Sequence, residues 1–126
     1  MIEKYVVSLS LAKKLKEAEW AKETEFIWAR GFVDLSAFWF KYDSEEVLPA
    51  PLAEEILEEL PKRIAKPMIT YLLDITPIKG GNIIRYIEYN WLHVLIDKEA
   101  PKLSDALAQL WLWLKENGYL EERDED

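Results

Sequence analysis

The sequence predicts an α+β domain, an antiparallel sheet made of a three-stranded meander plus an aromatic strand pair, with about three helices packed on it. Three observations carry this. One phrase occurs twice, Ala50-Pro51-Leu52-Ala53-Glu54-Glu55-Ile56-Leu57-Glu58-Glu59-Leu60 and Ala100-Pro101-Lys102-Leu103-Ser104-Asp105-Ala106-Leu107-Ala108-Gln109-Leu110. Each copy has Ala-Pro, an acid four positions after the proline, then an apolar pair and a leucine. Between Met68 and Asp97 the apolar period is two, broken by turn residues, and a leucine stripe closes the chain at Asn117-Gly118. Helices before, between and after antiparallel strands bury their apolar stripes against one face of a sheet.

Ser8 can cap a first helix running to about Ala18, with Leu11, Leu15 and Ala18 on one face and Lys13, Lys14 and Lys16 toward water. Residues 25–30 and 38–42 come next as expected strands, because Phe26 and Trp28, then Phe38, Phe40 and Tyr42, recur at every second position. The intervening residues 31–37 make a connection longer than a tight hairpin.

The first copy of the phrase opens a helix, since proline is tolerated at a helix threshold and an early acid meets the positive end of the macrodipole. Ala53, Ile56, Leu57 and Leu60 face inward, and Pro61 ends it. Glu54/Glu58 and Glu55/Glu59 are like-charge pairs at i,i+4, an arrangement suited to a face in water. If helical turns persisted past Pro61, Lys62 and Arg63 would relieve Glu58 and Glu59.

From Met68, Ile69, Tyr71, Leu73 and Ile75 share one face of a strand, with Thr70, Asp74 and Thr76 on the other. Pro77 and Gly80-Gly81-Asn82 supply a turn, residues 83–89 a return strand, Asn90 a second turn and residues 91–97 a third strand. The second copy of the phrase opens the last helix, with Leu103, Ala106, Leu107, Leu110 and Leu114 as its stripe. Gly118 takes a left-handed cap that lets Tyr119 and Leu120 fold back on the final turn. The segments after the two copies differ entirely, so the repetition is a shared way of starting helices and not a tandem repeat.

A chain of 126 residues and 14.8 kDa fits one domain, here residues 1–120, followed by an acidic tail at 121–126. Half the residues are hydrophobic, too many for a disordered chain. The chain has no cysteine, which leaves no disulfide framework and no thiolate chemistry and suits a reducing compartment; cytoplasm is the expected location. The longest apolar run, residues 110–114, is far short of the roughly 20 residues a membrane span needs, and no membrane association is expected. The net charge is −8; five acids and one base in the tail account for −4 of it. Such a balance disfavours direct binding to nucleic acid.

No motif for chemistry stands out. The only histidine is His93, expected on a strand face with Trp91, Leu95 and Asp97, where Asp97 could orient it as a base; an ordinary half-buried sheet histidine is the plainer reading. One histidine and no cysteine predict neither a metal centre nor a cofactor. Gly80-Gly81 lies between strands, whereas a phosphate loop needs glycine followed by a helix. None of Ser8, Ser10, Ser36, Ser44 and Ser104 stands in a Gly-x-Ser-x-Gly setting. Asp74, Glu88 and Asp97 could pair as hydrolytic carboxylates, yet acids on an open sheet face are ordinarily just solvated.

The strongest functional content lies in Leu110-Trp111-Leu112-Trp113-Leu114, which is apolar around the whole helix. Either aromatic bulk fills the edges of a small core, or Trp111, Leu112 and Trp113 meet another chain, tryptophan being enriched at binding hot spots. Trp39, alternating out of the Phe38/Phe40 face, is the second candidate for exposure. Three classes of function are open: protein contact, with self-association through the terminal helix; an acidic inhibitor imitating nucleic acid through Glu54, Glu55, Glu58, Glu59 and the tail; and a small hydrolase or ligand-binding enzyme built on His93. The expected partner is accordingly a second copy or another protein.

Residues 5–16, the Pro49-Ala50-Pro51 helix start ending Glu59-Leu60-Pro61, and the close from Leu103-Ser104-Asp105-Ala106-Leu107-Ala108 through Trp113-Leu114-Lys115-Glu116-Asn117-Gly118 resemble a group of small uncharacterised proteins from bacteriophages and prophages. Leu52 and Lys102 stand where a threonine is expected between the proline and the leucine of each phrase. The resemblance rests on structural motifs, implies a phage accessory protein, and transfers no functional residue.

Overall fold

The structure, a computed structural model, describes residues 2–88 and 93–120. After a 3-10 turn at Ile2–Lys4 come α1 (Leu9–Glu17), β1 (Phe26–Ala29), β2 (Phe32–Leu35), 3-10 segments at Ser36–Lys41 and Ser44–Glu46, and β3 (Leu48–Pro49). Then come α2 (Ala53–Leu57), β4 (Arg63–Ala65), β5 (Thr70–Ile78), β6 (Gly81–Glu88), β7 (Val94–Ala100) and α3 (Leu103–Glu116). The class is α+β, as the sequence predicts, with the strands divided between two antiparallel sheets ordered β2-β1-β3 and β4-β5-β6-β7.

Both copies of the doubled phrase open a helix, two residues after the proline. Leu52 and Lys102 occupy the cap positions with extended backbones and offer no side-chain cap. The acid four residues after each proline accepts backbone N–H groups at a helix start, its own in the first copy and that of α1 in the second. Glu55 accepts the Leu52 N–H at 2.8 Å and the Glu25 N–H at 2.9 Å, and Asp105 accepts the Ser8 N–H at 2.7 Å, tying the start of α3 to the start of α1. The Lys102 ammonium donates to the Glu3 and Val6 carbonyls at 3.1 and 2.9 Å and pairs with Asp105 of its own helix at 3.9 Å.

Helices α1 and α3 end alike. At the end of α3, Gly118 is left-handed, Gly118 N–H donates to the Lys115 carbonyl and Tyr119 N–H to the Leu114 carbonyl. At the end of α1 the same two bonds form from Glu19 and Trp20, with Glu19 held at φ 65° where a glycine would sit without strain.

The core joins Leu15 of α1, Ile56 of α2, Ile84 and Tyr86 of β6, and Leu107, Leu110 and Leu114 of α3, with Val6 and Val7 beneath them. Two of its polar aromatics bond the backbone: the Tyr86 hydroxyl donates to the Pro61 carbonyl at 2.6 Å, and the Trp28 indole N–H to the Val7 carbonyl at 2.8 Å.

Four expectations are corrected. Residues 38–42 are not the strand that pairs with β1. Arg30 and Gly31, both at positive φ, close a two-residue hairpin of the type whose twist suits antiparallel strands, so Phe32–Leu35 is the partner and Ser36–Lys41 winds into 3-10 turns. Second, the sheet has four strands rather than a three-stranded meander, because Arg63–Ala65 pairs beside β5. Third, β5 runs through Pro77 to Ile78. Pro77 faces Asn82 next to the hairpin, and β4 reaches only Thr70 to Leu72, so the missing N–H lies at an open edge where no ladder bond is lost. Gly81 is required in that hairpin because a Cβ there would lie 2.5 Å from the Ala100 carbonyl oxygen. Fourth, the last strand begins at Val94 and continues to Ala100, shifting register by a bulge between Tyr86 and Ile87. Tyr71 and Leu73 pack on the core as expected, while Ile75 is exposed. Trp91, the Asn90 turn and the tail at 121–126 lie outside the described residues.

Candidate interaction surface

The sequence singled out the terminal helix first, and the structure draws most of it inward. Trp111 is 6% exposed, its ring meeting Trp20 edge-on at 5.0 Å. It belongs to the core. Helix α3 packs against α1, α2, β6 and β7, so its apolar circumference is covered from several sides rather than by one sheet face. Leu112 and Trp113 are half-buried against the core, and Trp113 stacks on Tyr119 at 5.4 Å and 14°. With Leu11, Lys14 and Lys98 they line an open depression of about 700 Å³ between α1 and α3.

The acids of the first phrase are largely occupied by the chain itself. Glu55 caps α2, and Lys22 forms ion pairs with Glu58 and, at 3.3 Å, with Glu59. The hydrogen bond to Glu58 is the main cause holding the Lys22 ammonium above the ordinary lysine range. Glu54 alone of the four makes no side-chain hydrogen bond or ion pair among the described residues.

Trp39 is exposed, and it has company that alternation alone does not reveal. Phe32 (70% exposed), Trp39 (59%), Phe40 (66%) and Leu35 are all exposed large apolar residues, on β2 and the 3-10 segment after it. A 3-10 helix has three residues per turn, so three consecutive aromatics point in three directions and cannot all be buried on one side; no residue of Ser36–Lys41 is buried. The sequence signals were Arg30-Gly31, which forces the hairpin early, and Phe38-Trp39-Phe40, which lacks the polar alternation of a half-buried strand.

Polar clasps hold this surface in place. Asp34 accepts the Tyr42 hydroxyl at 2.6 Å and the Leu35 N–H at 2.8 Å, fastening the end of the 3-10 segment to β2. The Tyr42 bond is the main cause drawing the Asp34 carboxyl below its ordinary range, and the same bond raises the Tyr42 phenol. Arg30 pairs with Glu46 at 3.1 Å, lowering that carboxyl, and lies over the Tyr42 ring at 5.5 Å. Lys41 covers the Phe38 ring at 4.4 Å. The clasp on Leu35 also occupies an outward N–H of the β2 edge, leaving less of it free for strand addition.

His93 does not meet Asp97. It precedes β7, its side chain is mostly exposed, and its Nδ1 lies 2.5 Å from Glu88 Oε1. Asp97 stands opposite Arg85 in the ladder, and Arg85 binds Asp74 at 3.1 Å, so the three sheet carboxylates are spread over two separate pairings. Among the described residues no group of three metal-ligating side chains is placed to hold an ion.

Compared with protein-family models, with curated proteins and with solved structures, the chain shows no match to any of them.

Proposed function

We propose that this chain is a non-enzymatic accessory protein that acts by binding another protein, and that it docks through the exposed aromatics of β2 and the adjoining 3-10 segment. One observation carries the reading: Phe32, Trp39 and Phe40 present large apolar side chains to solvent on a segment fixed by the Asp34–Tyr42 and Arg30–Glu46 clasps. Exposed aromatic clusters on an ordered frame are the usual anchors of protein interfaces. A phage or prophage setting is part of the proposal and rests on the resemblance of the helix starts and capped terminal helix. The terminal helix is a weaker docking candidate because Trp111 is in the core, and the nucleic-acid mimic is weaker because Glu55, Glu58 and Glu59 are engaged.

The test uses the full chain as bait in a bacterial extract, beside Trp39→Ser/Phe40→Ser and Leu112→Ser variants. A protein retained by the native chain and by Leu112→Ser, but lost from the double variant, is the expected result. Retention unchanged by Trp39→Ser/Phe40→Ser, or lost only with Leu112→Ser, contradicts it.

A further inference from the structure

We infer that the partner segment docking on this aromatic surface is basic, a stretch of polypeptide carrying arginine or lysine beside apolar anchors; the inference rests on the protein-contact reading above. The rings around the surface already accept cations from their own chain, Lys41 over Phe38 at 4.4 Å and Arg30 over Tyr42 at 5.5 Å. Trp39, the strongest cation acceptor of the set by ring type, has no ring contact, side-chain hydrogen bond or cation over it among the described residues.

The charges around it agree. From Arg30 to Glu46 the chain has four acids, Asp34, Asp43, Glu45 and Glu46, and two bases, Arg30 and Lys41. Both bases are already committed, Arg30 to Glu46 and Tyr42, Lys41 to Phe38. Asp43 and Glu45 are exposed and form no ion pair within the described residues. A cationic side chain arriving over Trp39 therefore meets an exposed ring on a short segment whose acids outnumber its bases four to two. A second copy would bring the same acids and a net charge of −8 against each other, so electrostatics oppose self-association at this face.

The probes are two acetylated, amidated hexapeptides, Arg-Leu-Arg-Arg-Leu-Arg and Glu-Leu-Glu-Glu-Leu-Glu, titrated calorimetrically into the full native chain and into Trp39→Ser/Phe40→Ser, Asp43→Asn/Glu45→Gln and Glu54→Gln variants. The arginine peptide is expected to bind the native chain and Glu54→Gln alike, and to bind each of the other two variants about tenfold more weakly or worse. Equal binding of the arginine peptide by Trp39→Ser/Phe40→Ser, which would mean diffuse attraction to an acidic protein, overturns the inference. So does equal binding of the glutamate peptide by the native chain, or no binding of the arginine peptide at all. These outcomes leave the extract experiment untouched: a partner lost with Trp39→Ser/Phe40→Ser whose docking segment is not basic would refute the chemistry while keeping the surface.

Discussion

Two tryptophans that look equivalent in the sequence have opposite fates. Trp111 sits in an apolar helix and is enclosed against Trp20, whereas Trp39 sits between two phenylalanines and faces water. Their substitutions should therefore separate. Trp111→Ala removes a core ring and should lower stability by about 3–5 kcal/mol, while Trp39→Ser should change it by no more than about 0.5 kcal/mol, both read from urea denaturation of the full chain. Backbone positions make a second pair. Glu19 holds a left-handed cap that Gly118 holds without strain, so Glu19→Gly should raise stability by about 0.5–1 kcal/mol. Gly81→Ala forces a Cβ onto the Ala100 carbonyl and should cost about 1–3 kcal/mol. A destabilising Glu19→Gly or a neutral Gly81→Ala in the same denaturation series would count against these assignments.

At the scale of elements, the sequence was most legible where one local rule decides and least where distant partners do. The doubled phrase, the meander and the Gly118 cap were readable because proline, period-two alternation and a left-handed glycine act over a few residues. The strand at Arg63–Ala65 was not, since three residues carry no periodicity and it exists by pairing with β5. The bond from the Ser8 N–H to Asp105 was unreadable for the same reason, donor and acceptor being 97 residues apart. Residues 38–42 alternate as a strand would, but the Arg30-Gly31 hairpin gives β1 to Phe32–Leu35. The clasp on the segment that resulted has a pH signature. Asp34 has its pKa lowered in the folded chain, so its contribution is complete above the ordinary carboxylate value of about 4 and is lost as pH falls through the folded value. Tyr42 is raised, so its contribution is complete below about 10 and is lost as pH rises through its folded value. Thermal midpoints measured against pH should fall less steeply at acid pH in Asp34→Asn than in the native chain; parallel curves would show that the bond adds nothing to stability.

The whole molecule divides its apolar residues between two tasks. The helices and the inner faces of the sheets make one core, to which Trp28, Trp111, Tyr86 and the leucines of α3 belong. The hairpin β1–β2 stands on that core through Trp28, and it and the 3-10 segment after it carry Phe32, Trp39 and Phe40 outward. The acids divide likewise: Glu55 and Asp105 hold the helix starts, Glu58 and Glu59 hold Lys22, and Asp43 and Glu45 are exposed with no ion pair among the described residues. The candidate site was thus legible in the sequence at Trp39 alone. Its other members depended on where the hairpin closed. The most direct test of docking at this surface is photocrosslinking in cells with p-benzoylphenylalanine placed at Phe40 or, in a parallel chain, at Leu112. A discrete adduct from position 40 that disappears with Trp39→Ser, with none from position 112, is the predicted result; an adduct from position 112 alone would return the function to the terminal helix and contradict the account.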